Sequence, residues 1–143
     1  MNKSMPCAVY MTVGSLVLSC SALAHHGDAG RYNEEVVTLT GTVAQFVMVN
    51  PHALIMLDVT ENGKTTRWTA ELGGPQQLAK QFGWSPATTK MWIGSRFTLI
   101  GRRVKSGDPY MNLSERANIV LTDSGKEIFR TANFGEPPPP PQK

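Results

Sequence analysis

Residues 53–72 read ALIMLDVTENGKTTRWTAEL, and this stretch decides the fold. Ile55, Leu57 and Val59 fall on alternate positions, so they share one face of a strand. Glu61-Asn62-Gly63-Lys64 is a hairpin signal, because Asn-Gly accepts the positive φ angles of a two-residue turn. Beyond it Trp68, Ala70 and Leu72 alternate inward while Arg67, Thr69 and Glu71 alternate outward. Two strands of opposite direction, each with one apolar face, predict a sheet packed on a core.

The strand signal extends on both sides. Residues 36–49 are rich in Val and Thr, with Gly41 inside. Their apolar parity runs Val37, Leu39, Val43 and then slips to Phe46 or Val47, which predicts a bulge near Gln45. After the hairpin the period changes. Gly74-Pro75 opens a short helix whose buried stripe is Leu78 and Phe82, and Gly83 stops it. Ser85-Pro86 starts one more helical turn before Ile93-Gly94. Residues 96–104 form a strand, 105–109 a loop, and Ala117, Ile119 and Leu121 mark another strand. Thr122 to Gly125 turns the chain into a last short strand near Ile128-Phe129.

This order, three strands, a helix, then two strands and a short extra one, predicts an all-β domain with one short helix. It matches the oligonucleotide/oligosaccharide-binding (OB) barrel of five to six strands. A small open β-sandwich accommodates the same order. The predicted core is Val43, Ile55, Leu57, Val59, Trp68, Leu78, Phe82, Phe97, Leu99 and Ile119.

The domain plan places a leader at 1–24, a polar arm at 25–35, the barrel at 36–130 and a disordered Pro-rich tail at 131–143. Lys3, the mostly apolar residues 7–18 and the small residues Ala22 and Ala24 make up an export signal cut after Ala24. Residues 17–20 weakly match a lipoprotein box, which would instead leave a lipid on Cys20. The predicted location is periplasmic or secreted, with no membrane-spanning segment in the mature chain. Cys7 and Cys20 leave with the leader, so no thiolate metal site and no disulfide remain. The formal net charge is +3 and Lys3 also leaves, which is too mild to argue for nucleic acid.

Chemistry concentrates on the histidines. A cut after Ala24 puts a free amine beside His25 and His26, a donor set for copper or zinc. The third histidine, His52, sits in the turn Asn50-Pro51-His52. The predicted metal residues are therefore His25, His26 and His52, with copper or zinc as the expected ion. Placing them together requires the arm to fold back along the barrel. In an OB barrel the loop between strands one and two shares a rim with the loop between strands four and five. Asn50 and Tyr110, near Asp108 and Met111, are candidate ligand residues at that rim. Trp68 and Trp84 are candidates for stacking on a planar ligand or sugar, against the plainer reading that both pack in the core. Glu71 reads as solvated, and Arg102-Arg103 as an exposed strand end.

Several residue sets together resemble a family of small secreted bacterial proteins known only as a domain of unknown function. They are Ala24-His25-His26, residues 38–43, Asn50-Pro51-His52, Trp68 with Glu71-Leu72-Gly73, and Gly83-Trp84. Gly94-Ser95-Arg96 departs from the Gly-Asp usual there, and the Pro-rich tail is particular to this chain. The resemblance implies fold and location, and no reaction.

Enzyme signatures are thin. There is no Gly-x-Ser-x-Gly elbow and no phosphate-cradling glycine loop. The expected function is a non-catalytic exported binding module for a small ligand or an exported protein. The alternatives are a copper-dependent redox enzyme using His25 and a structural partner of a larger exported protein.

Overall fold

The computed structural model describes residues 30–140. The element order is β1 (Tyr32–Val47), β2 (Leu54–Glu61), β3 (Lys64–Glu71), α1 (Pro75–Phe82), α2 (Pro86–Lys90), β4 (Arg96–Val104), β5 (Tyr110–Asn112), β6 (Asn118–Leu121) and β7 (Lys126–Arg130). The strands are ordered β1-β2-β3-β5-β4-β6-β7, and β1 also pairs with β4. Five strands thus close on themselves, and β6–β7 is a hairpin added to the outside of β4. Closure through β1–β4 rules out the open sandwich.

One long strand makes closure possible. The first part of β1 pairs with β4, from Tyr32 opposite Val104 to Thr42 opposite Arg96. Its last part pairs with β2, and the register slips between Val43 and Gln45. That is the bulge the parity slip predicts, and it bends β1 so that one strand serves two neighbours. Gly41 lies at the bend because a Cβ there would meet the Asp58 carbonyl oxygen at 2.5 Å.

The interior follows the alternation. Val43, Ile55, Leu57, Val59, Leu78, Phe97, Leu99 and Ile119 are all buried, as expected. Trp68 and Phe82 are only partly buried and pack on the edge of that cluster. Under the helices, Trp84 is surrounded by Phe46, Phe82, Trp92 and Phe129, with ring centroids 5.0–5.8 Å away.

The helices end where the sequence says. Gly83 takes the left-handed conformation after α1. Ser85 caps α2: its Oγ accepts from Thr88 N–H, while its own N–H donates to Thr88 Oγ1 at 2.8 Å. Replacing this cap leaves a helix-end N–H without its acceptor. Ser85→Ala is expected to cost about 1 kcal/mol in urea unfolding. An unchanged midpoint would mean that water caps α2 equally well.

Two boundaries and one strand need correction. The arm ends earlier than residue 35, since β1 begins at Tyr32, which is 1 % exposed. Residues 33–38 are all exposed; 36–38 are held by pairing to β4 and 33–35 lie in a second register shift, so no apolar alternation marks them. β5 (Tyr110–Asn112) has no counterpart in the sequence pattern. It is three residues long and pairs parallel with β3, a partnership no local pattern encodes. The start of the tail is tied down: Thr131 N–H donates to Ala117 O at 3.0 Å, and Asn133 Oδ1 accepts from Arg116 N–H at 2.8 Å. Residues 135–140 are exposed and lie outside helix and strand.

Candidate functional site

The short β5 strand makes the site. Its parallel pairing sets Tyr110 opposite Thr69 and Asn112 opposite Glu71. Glu71 and Tyr110 therefore stand on the same outward face of the β3–β5 seam. The loop between β1 and β2 arches over that face. It is anchored by Ala53 N–H to Gly73 O at 3.1 Å and Leu72 N–H to Ala53 O at 2.9 Å. It contains a cis peptide bond at Asn50-Pro51.

These placements converge on one carboxylate. The Tyr110 hydroxyl donates to Glu71 Oε2, and His52 Nδ1 contacts Glu71 Oε1. Glu71 is 8 % exposed, whereas the His52 side chain is 49 % exposed. Burial, reinforced by the Glu71 carboxylate, pushes the Tyr110 phenol well above its ordinary range, so it stays a neutral donor. The Arg31 guanidinium lies 5.2 Å from the centroid of the Tyr110 ring, and Lys105 N–H donates to Arg31 O. The chain therefore enters the described region at the site itself.

A histidine in this position has one nitrogen spoken for. With Nδ1 against the carboxylate, Nε2 is the nitrogen left for a ligand. Among the described residues no three His, Cys, Asp or Glu side chains gather as a metal cage. His25 and His26 lie outside the described residues.

The other expected site residues divide clearly. Asn50 is exposed on the loop before His52. Trp84 is 5 % exposed inside the aromatic cluster, the packing role. Trp68 lies on β3 with the Arg103 guanidinium 4.8 Å from its ring centroid. Glu71 is not solvated: its outward parity is right, but Tyr110 and His52 cover it. Arg102 is not an exposed strand end either. It is 6 % exposed, pairs with Glu115 at 3.0 Å and, with Arg116, approaches Glu34.

Residues 14–111 match the family described as Family of unknown function (DUF6152). The chain belongs to that family. The DUF6152 match takes in His52, Glu71 and Tyr110 and stops short of β6 and β7. No curated protein and no solved structure matches the chain. Among the described residues of this DUF6152 protein, no helix is long and apolar enough to cross a membrane.

Proposed function

We propose that the chain is an exported, non-catalytic binding module that takes copper or zinc through His52, His25 and His26. The observation that carries this reading is the buried Glu71 carboxylate against His52 Nδ1, itself bonded by the Tyr110 phenol. A carboxylate on the far nitrogen fixes ring orientation and tautomer, and raises the basicity of the nitrogen that ligates. The geometry of the entry supports a site completed from the N-terminus. Arg31 stacks on Tyr110, so five residue steps separate it from His26. At roughly 3.3 Å per residue these reach about 16 Å, and no long fold-back along the barrel is needed. The free amine after Ala24 supplies a further nitrogen donor.

The test is calorimetric titration of copper and zinc into tag-free protein beginning at His25, and into its His52→Ala and Glu71→Gln variants. His52→Ala is expected to abolish the tight phase. Glu71→Gln is expected to weaken it by about 10- to 100-fold, the usual loss for such a supporting group. Binding is expected to fade as the pH drops, because imidazole ligates only when neutral. Equal affinity in the parent and His52→Ala would remove His52 from the site. Catalytic turnover with a reductant would favour the redox-enzyme alternative.

A further inference from the structure

At the mouth of the barrel lies a cation that no described residue neutralises. On β4 Arg103 continues the parity of Phe97, Leu99 and Gly101 and pairs with the buried Met111, although at this end of the strand Arg102 and Val104 are buried as well. Phe97, Leu99 and Gly101 are buried, and Arg103 sets a guanidinium where the alternation calls for an apolar side chain. The Arg103 guanidinium is held against the Trp68 ring at 4.8 Å and donates from Nη2 to Gly107 O at 2.5 Å. Among the described residues its Nε is buried without a hydrogen-bond partner. Among the described residues no carboxylate lies within ion-pair distance of it; the same holds for Arg31 and Arg96, which are exposed, whereas Arg67, Arg102, Arg116 and Arg130 each have one. A half-buried, uncompensated guanidinium is unfavourable on its own and favours a counter-charge brought from outside.

The surroundings define what carries that charge. Arg103 lines an open groove of about 540 Å³ together with Lys64, Thr66, Trp68, Gly107 and Pro109. Glu61 is the one carboxylate among the described lining residues, and its formal charge cancels that of Lys64, its partner in the hairpin ladder. That leaves the charge of Arg103. Trp68 and Pro109 give an apolar wall, and the groove is far larger than a simple anion. It is built from β2, β3, the end of β4 and the loop between β4 and β5, the face on which OB barrels receive oligonucleotides and oligosaccharides. We propose that this groove binds an acidic saccharide, with the sugar carboxylate on the Arg103 guanidinium and the sugar C–H face against Trp68 and Pro109. This site is separate from the His52 rim and stands or falls independently of metal binding.

The experiment is titration of the full chain with a trimer of galacturonic acid, the neutral galactose trimer and inorganic phosphate. Binding is followed by calorimetry and tryptophan fluorescence. The acidic trimer is expected to bind at least about 10-fold more tightly than the neutral one, the scale of one charge-assisted hydrogen-bond pair. Arg103→Gln is expected to remove that preference, while Arg103→Lys keeps part of it. Lys64→Gln alters an exposed side chain and preserves the fold, so it tests the groove even if Arg103→Gln fails to fold; a several-fold loss for the acidic trimer alone is expected. Equal binding of both trimers, phosphate binding as tightly as the acidic trimer, no binding of any probe, or full affinity in Arg103→Gln would each overturn the proposal.

Discussion

Phe97→Ala is expected to lower the unfolding free energy by about 3–5 kcal/mol. Phe97 is fully buried on β4, opposite Gly41 of β1 and Leu121 of β6. Its ring lies 5.9 Å from that of Trp92, so it links the barrel interior to the aromatic cluster under the helices. Truncation removes the transfer free energy of the ring and leaves a cavity between strands fixed on both sides by their ladders. Those strands cannot collapse inward without breaking pairs with β1 or β6, so the cost belongs at the upper end of such substitutions. Urea unfolding measures it directly. The midpoint should fall while the slope stays constant. A loss under about 1 kcal/mol would mean that Phe97 does not face the interior.

Gly101→Ala is the second large effect, and it arises from crowding. A Cβ at Gly101 would lie 2.5 Å from the Asn112 carbonyl oxygen and 2.6 Å from Leu113 Cδ2. The leucine can turn away, but the backbone oxygen cannot, so β4 and the β5 segment must separate. Overpacking of this kind costs about 1–3 kcal/mol. The control is Gly30→Ala, where no heavy atom of the described residues lies within 4 Å of the added methyl. Thermal unfolding should separate the two: a clear drop for Gly101→Ala and almost none for Gly30→Ala. Equal melting temperatures would show that β4 and β5 are not so closely apposed.

Much of this architecture is written locally. Asn62 and Gly63 both adopt positive φ, so the turn is where the dipeptide places it, and every β2–β3 partner follows by counting back from it. That count sets Leu54 opposite Glu71, and hence brings the loop carrying His52 alongside the end of β3. The His52–Glu71 contact was therefore within reach of the hairpin register. Parity alone concealed it, because an outward carboxylate reads as solvated unless a covering group is known. Tyr110 supplies that cover through a parallel pairing between chain segments about 40 residues apart, which has no signature in periodicity. Arg103 escaped for a related reason. Its inward parity follows from Phe97 and Leu99, but charge in a strand is ordinarily taken as a sign of the exposed face.

The β3–β5 seam has a dynamic consequence. It comprises three partner pairs, and β5 is joined to β4 by two more, against eight between β2 and β3. Within the closed barrel, local opening should begin at the strand with the fewest ladder partners, so amide exchange at residues 110–112 samples a state in which the hairpin persists and the barrel is ajar. In that state Tyr110 has left Glu71, and His52 has lost the far end of its support. Whatever binds at this rim therefore also acts as a clasp, and occupancy would be read at a distance as slower exchange along a strand that the ligand never touches.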